Sequence, residues 1–313
     1  MDLLMSYVFI CGALRSGTTL THLMLDAHPE LENPGEFDFL FDVLIGKEGR
    51  EPSAESFAMK LRRDRIFNSK NISIDPSCHS YSDLLYSLIE QIQNGRTVCL
   101  NIHRNFDFAL RYFPDAKFVH ILRDPRDVAK SSIKMGWAGT TYHGVDHWLE
   151  SENSWDRLMK RASEDQIFEI RYEELIAKTK STLSALCQFI GRRFDQGMLS
   201  YYKGSTYSQP DLSLIEQWRD RQTTAEIELV EYKTRHILQK RGYKFSINTA
   251  RRPSLLCRIK LFSINKYYRY IFSIRRYGMF LFVINKIITI FPDFPNAKEY
   301  RVRINEIQGR FLK

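Results

Sequence analysis

Residues 8–19 read VFICGALRSGTT: an apolar run, Gly12, four residues, Gly17 and two threonines. The β-branched and aromatic run YVFICG ends in glycine, and TTLTHLMLDAHP continues with apolar residues at helical spacing until Pro29. This predicts a strand, a tight turn and a helix, the first unit of a parallel sheet. Such a loop turns backbone N–H groups inward, its glycines admit a close phosphate, and the helix adds its positive end. In the nucleotide-hydrolysing version a lysine follows the second glycine and a Ser or Thr holds magnesium. Here Thr18 stands in the lysine's place, while Thr19 keeps a hydroxyl. The loop is therefore suited to a phosphate but poorly equipped for a magnesium triphosphate. Arg15 adds a planar, permanently charged fork that fits the oxygens of a single tetrahedral anion.

Further strands are predicted at TVCLNI, at KFVHIL with the helix RDPRDVAKSSIKMG after it, and at QIFEIRY. Strands alternating with helices imply an α/β fold of three layers, with a central parallel sheet covered on both faces. Residues 46–80 read as helices and loops over the C-terminal edge of that sheet. Residues 175–190 and 213–241 read as helical, with Gly242 as a stop. The segment ARRP at 250–253 marks a change of composition, so the expected division is a domain over 1–248 and a helical extension over 249–313. Arg123 leaves the strand KFVHIL and Ser131 follows eight residues later, about two turns into the next helix. An arginine and a serine so spaced suit a second phosphate at the sheet edge where ligands of open α/β folds gather.

Together, ALRSGTTLTHLMLDAHPEL and LRDPRDVAKSS resemble the 5'-phosphosulfate loop and the 3'-phosphate element of the sulfotransferases. The first stretch is especially similar to that of the tyrosylprotein sulfotransferases and related bacterial enzymes. IRYEEL and WRDR…RGY extend the resemblance over about residues 7–245. The resemblance implies a P-loop-like fold and 3'-phosphoadenosine 5'-phosphosulfate (PAPS) as donor, with no metal. It implies that Arg15, Ser16, Gly17, Thr18 and Thr19 hold the 5'-phosphosulfate, that Arg123 and Ser131 hold the 3'-phosphate, and that Tyr172 lies near the adenine. Arg15 would also stabilise the charge developing as the sulfuryl group departs. Glu36, placed on the catalytic glutamate of the tyrosylprotein enzymes, is the expected base. Many relatives carry a lysine in a K-[TD]-P segment, which the corresponding stretch CLNIHRNFDFALRYFPDAKF lacks. His103 is then an alternate base or a hydrogen-bond donor, and Arg104 a source of the missing charge. The expected acceptor is a hydroxyl on a glycan, a lipid-linked saccharide or a peptide tyrosine. From the residues alone, a P-loop small-molecule kinase and a non-catalytic nucleotide-binding module stay open.

The net charge of +9 is uneven: residues 251–313 hold 14 Lys+Arg and 3 Asp+Glu, leaving 32 basic and 34 acidic groups elsewhere. The basic, aromatic tail suits packing on the domain or on a second copy, contact with an anionic membrane surface, or an acidic acceptor. No nucleic-acid partner is expected, because no recognised module accompanies the charge. Tyr277–Phe291, the least interrupted apolar stretch, is too short to span a bilayer. Five cysteines without metal-ligand spacing suggest reduced thiols. With no room for a signal peptide before Tyr7, they point to a cytoplasmic chain, at most associated with the inner face of a membrane and suited to a bacterial enzyme. His22 and His120 read as core histidines, Trp148 and Trp155 as helix packing, and Lys203 and Ser205 as a solvated loop.

Overall fold

In the computed structural model, which describes residues 7–44, 50–205, 207–247, 250–291 and 294–311, the YVFICG run is the central strand of a parallel sheet. The chain begins with β1 (Tyr7–Gly12), α1 (Thr18–Asp26), β2 (Leu31–Glu32), α2 (Ala54–Arg63), α3 (Tyr81–Glu90) and β3 (Thr97–Ile102). It continues with α4 (Phe106–Tyr112), β4 (Lys117–Leu122), α5 (Pro125–Lys134), α6 (Thr141–Gly144), α7 (Asp146–Leu158) and β5 (Ile167–Arg171). After these come α8 (Tyr172–Ala177), α9 (Thr179–Ile190), α10 (Trp218–Arg221), α11 (Thr224–Lys240), α12 (Leu255–Tyr277), α13 (Met279–Ile290) and α14 (Ala297–Phe311).

The strand order is β2-β3-β1-β4-β5, and every pairing is parallel. Successive side chains of a strand point to opposite faces, so each apolar strand feeds two cores. Phe9, Leu100 and Phe118 join α2, α3, α4 and α7 on one face. Val8, Ile10, Cys99, Val119 and Ile170 join α1, α8 and α9 on the other. The expected three layers are thus present. All four predicted strands form, and the short β2 adds an edge. The five cysteines are free thiols.

His120 is a core histidine, as expected. It stacks on Trp155 at 4.3 Å, Glu152 lies 3.1 Å from its Nε2, and Glu169 lies 3.1 Å from its Nδ1.

The chain forms two compact units. One contains the sheet and comprises the residues up to Asp124 with His147–Gln217; the other comprises Pro125–Asp146 and the residues from Trp218 onward. In the second unit, α5 and α11 share a buried ion pair. Arg126 donates to Glu231 at 2.7 Å and lies 3.7 Å over the Trp218 ring. Glu231 also accepts from Ser246 N at 2.9 Å, Ser246 Oγ at 2.8 Å and Ile247 N at 3.0 Å. α12, α13 and α14 belong to the same unit, with Leu281, Ile284, Ile288, Ala297 and Ile304 forming a small core. The expected boundary at 248/249 lies outside the described residues. No helix among the described residues is long and apolar enough to cross a membrane.

The helix expected over 213–241 is instead broken. Residues Leu212–Leu214 make one tight turn, α10 is short, and α11 starts afresh after Thr223. Thr223 Oγ1 accepts from Glu226 N at 3.3 Å while Glu226 Oε2 accepts from Thr223 N at 2.9 Å, a reciprocal cap that defines a new helix start.

Removing Glu231 takes away the carboxylate that balances the buried Arg126 charge and leaves its hydrogen bond to Lys244 O. Glu231→Ala should therefore lower stability by about 3–5 kcal/mol in urea unfolding. A loss no larger than that of an exposed substitution would show that Arg126 does not depend on it.

Candidate active site

At the end of β1 the chain must leave the sheet and enter α1 within five residues. It does so with two left-handed residues, Arg15 at φ +73° and Gly17 at φ +100°. Ser16 N donates to Ala13 O at 3.0 Å, and Thr21 N donates to Gly17 O at 3.0 Å as α1 begins. Alternating backbone conformations of this kind gather N–H groups into an anion-binding concavity. The first turn of α1 adds N–H groups that the helix itself cannot satisfy. Ser16 is fully buried, and its hydroxyl has no hydrogen-bond partner among the described residues. A buried hydroxyl without a partner costs free energy unless a ligand satisfies it, so the loop fits an anion such as the phosphosulfate of PAPS.

Glu36 is held at the same level of the sheet as the end of β1. It forms a parallel bridge with Asn101, whose register partner on β1 is Ile10. Phe37 N donates to Asn101 O at 2.8 Å and Asn101 N donates to Gly35 O at 3.0 Å, which clamps the backbone on both sides of Glu36. The buried Asn101 side chain donates to Thr18 O at 3.0 Å and accepts from Asn33 Nδ2 at 3.1 Å. Lys70 approaches from a distant loop, donates to Pro34 O and lies 5.3 Å from the Phe37 ring. Burial lowers the Lys70 pKa, and the negative charge of Glu36 pulls against that fall.

His103, just beyond β3, is buried with both ring nitrogens engaged. Nδ1 lies 2.6 Å from Asp38 Oδ2 and Nε2 lies 3.2 Å from Thr18 Oγ1, while His103 N donates to Asp38 Oδ1 at 2.8 Å. Burial disfavours charge on the ring, but the Asp38 carboxylate outweighs it and the His103 pKa is raised. Burial likewise opposes charge on Asp38, and His103 overcomes it, so the Asp38 pKa is lowered. Arg104 grips Asp42 with Nε at 2.8 Å and with a second hydrogen bond from Nη2. Burial still lifts Asp42 to about 6.

Arg123 emerges from β4 and reaches back to the loop. Its Nη1 donates to Arg15 O at 3.1 Å, its Nη2 donates to Leu214 O at 3.1 Å, and its guanidinium lies 4.0 Å over the Tyr172 ring. The Tyr172 ring in turn covers Gly17: a Cβ there would come within 2.4 Å of Tyr172 Cδ2. Burial lowers the Arg15 pKa; Arg123 adds to the fall, while Tyr207, Tyr172 and Glu36 oppose it. The sheet-bearing unit thus brings Arg15, Ser16, Gly17, Thr18, Thr19, Glu36, His103, Arg123 and Tyr172 to one edge. Ser131 lies on α5, in the other unit.

Four residues of this edge were missed in the sequence: Asn33, Asp38, Lys70 and Asn101. Only Asp38 carried a local signal, as a second carboxylate two residues after Glu36. The lysine sought near NIHRN is absent there, and Lys70 supplies a cation beside Glu36 from another loop.

A family model described as "Sulfotransferase family" matches residues 7–196. Protein-tyrosine sulfotransferase 1 of Danio rerio is 24% identical over 208 residues, covering 63% of this chain and 56% of that one. An omega-hydroxy-beta-dihydromenaquinone-9 sulfotransferase of Mycobacterium bovis is 30% identical over 241 residues, covering 59% and 62%. This chain therefore spans little more than half the length of either relative. Among solved structures, the sulfotransferase domain of the Synechococcus PCC 7002 olefin synthase aligns with a TM-score of 0.58 at 20% identity. It covers 76% of this chain and 95% of that one, a likeness of fold.

Two predictions follow from this geometry. Gly17→Ala should cost about 1–3 kcal/mol through its positive φ and the clash with Tyr172. In a double-mutant cycle read by urea unfolding, Tyr172→Ala should recover part of that cost, and strict additivity would remove the clash as its cause. For the His103–Asp38 pair, the raised His103 value stabilises below the ordinary histidine value of 6.5 and is lost as pH rises through the folded value. The lowered Asp38 value stabilises above 3.8 and is lost as pH falls through its folded value. The coupling energy from Asp38→Asn and His103→Gln should therefore be greater at about pH 5 than at about pH 9.

Proposed function

The chain belongs to the sulfotransferase family, and from that premise we propose that it moves the sulfuryl group of PAPS to an acceptor hydroxyl. The observation that carries this reading is the loop at the end of β1. Its left-handed Arg15 and Gly17 gather N–H groups around the buried, unsatisfied Ser16 hydroxyl, and Thr18 stands where a triphosphate site needs lysine.

PAPS supplies the transferable sulfuryl group and a phosphate that leaves with the electron pair. Arg15, Ser16, Gly17, Thr18 and Thr19 are assigned to its 5' end, where fixed donors meet the charge that develops on transfer. Arg123 is assigned to the 3'-phosphate and Tyr172 to the adenine; Ser131 joins Arg123 by its sequence spacing alone. Glu36 takes the acceptor's proton. The two clamped peptide groups beside it supply a fixed backbone, and Lys70 supplies a neighbouring positive charge.

The surroundings of His103 favour the donor role over the base role. The Asp38 carboxylate raises its pKa against the cost of burial, which favours the protonated ring, and both nitrogens are engaged, by Asp38 and Thr18. Arg104 is committed to Asp42. We assign His103 to holding Thr18, and with it the start of α1, and Arg104 to bracing the Asp42 turn. The acceptor assigned is a hydroxyl of a saccharide, a lipid-linked saccharide or a peptide tyrosine. A screen of such acceptors with labelled PAPS, read by mass spectrometry, identifies which.

Calorimetry should find that PAP, the desulfated nucleotide, binds far better than ADP; preference for ADP with magnesium-dependent ATP turnover would replace this reading with a kinase. Arg15→Ala should lower kcat/KM for sulfate transfer about 10²–10³-fold, and Glu36→Gln about 10²–10⁴-fold with little change in PAP affinity. Undiminished transfer by either variant would remove that residue from the chemistry.

A further inference from the structure

The helix α12 has two faces of different character. One packs within its own unit: buried Asn265 accepts from Gly139 N at 2.7 Å through Oδ1, and Tyr268 OH donates to Ile133 O at 3.3 Å. Phe272 lies where any side chain at Gly136 would collide with its ring, at 2.1 Å. The opposite face carries Leu256, Ile259, Ser263, Tyr267 and Tyr270 at spacings of three and four, one stripe along the helix. Leu256 is 79% and Tyr267 69% exposed, while Tyr270 meets the Phe282 ring of α13 edge-on at 5.6 Å. On α13, Met279, Phe280, Val283 and Ile290 are exposed in the same way, while Leu281, Ile284 and Ile288 are buried.

Charge accompanies this apolar surface. Between Leu255 and Ile290 there are seven Lys and Arg residues and no Asp or Glu. Lys260 and Lys266 are exposed and flank the α12 stripe on either side. Lys266 lies 5.3 Å from the Phe262 ring and Lys286 lies 5.0 Å from the Tyr270 ring, so the amines sit beside aromatic surface. Aliphatic and aromatic groups in a line, with basic groups along both borders, match the layering of an anionic membrane surface. The apolar groups enter the acyl boundary, and the lysines extend to the headgroup phosphates. A second copy docking through the same face would bring like charges together across a two-fold contact. Neither helix is long and apolar enough to cross the bilayer, so the contact lies along the surface.

We propose that the outward face of α12, continued by the exposed residues of α13, docks the protein onto an anionic lipid surface. This stands apart from the sulfuryl-transfer chemistry and is read without it. In flotation experiments the full chain should bind vesicles of phosphatidylcholine mixed with phosphatidylglycerol, should bind phosphatidylcholine alone at least about tenfold more weakly, and should be released by salt. The double reversal Lys260→Glu/Lys266→Glu should weaken binding roughly twentyfold or more, because each lysine near the surface contributes about fivefold. Leu256→Ser/Ile259→Ser should weaken it as well, and since all four positions are exposed, both variants should keep the wild-type melting temperature. Equal binding to neutral and anionic vesicles, no binding to either, or undiminished binding by the lysine reversal overturns the proposal. So does concentration-dependent self-association that Leu256→Ser/Ile259→Ser abolishes in a chain that ignores vesicles; that result assigns the face to a second copy.

Discussion

The side chain of Asn101 joins the pieces on which the candidate site stands. Its amide donates to the carbonyl at the start of α1 and accepts from Asn33, while its backbone grips the peptide groups on both sides of Glu36. Buried amide groups must be paired, so these bonds are costly to break one at a time. The proposed base and the anion loop are thereby fixed relative to each other through a strand. Such positioning within the sheet-bearing unit is what in-line transfer requires.

Around this frame the charges are arranged in local pairs. His103 faces Asp38 and Arg104 faces Asp42, and each pair braces a turn beside the loop. Burial opposes charge on His103, but the Asp38 carboxylate outweighs it and raises the pKa of a ring whose Nε2 meets Thr18 Oγ1. Arg15, in contrast, sits where burial and Arg123 both work against its charge. Two guanidinium groups kept close together in a partly buried edge favour a negative ligand between or beside them, and the loop N–H groups point the same way.

Much of the sheet could be read directly. Runs such as YVFICG and TVCLNI are too apolar and too β-branched for a surface helix, and a parallel strand buried on both faces demands that composition. Apolar spacing continues through Trp218 to Ile227, so the pattern alone makes one helix of a stretch that the fold breaks at Thr223. Yet Thr223 and Glu226 already spelled a capping box, a sign that a new helix begins there. Of the proposed site residues, Arg15, Gly17, Arg123 and Tyr172 stand in short motifs, and Glu36 follows from the resemblance to the tyrosylprotein enzymes. Asn101 and Lys70 were not legible, because their relevance comes from meeting Glu36, 65 and 34 residues away in the chain. Local spacing carries no information about strand register or about which distant loop folds back.

The sequence by itself determined the strand–loop–helix unit, the absence of a triphosphate lysine at Thr18, and the concentration of net positive charge in the tail. These follow from short-range sterics and from side-chain chemistry that does not depend on neighbours far along the chain. Only the tertiary structure decided that His103 is held between Asp38 and Thr18, that Tyr172 closes over Gly17, and that Leu256, Ile259 and Tyr267 of α12 stand exposed. Each of those depends on desolvation and on contacts between segments scores of residues apart, which exist only once the chain has folded.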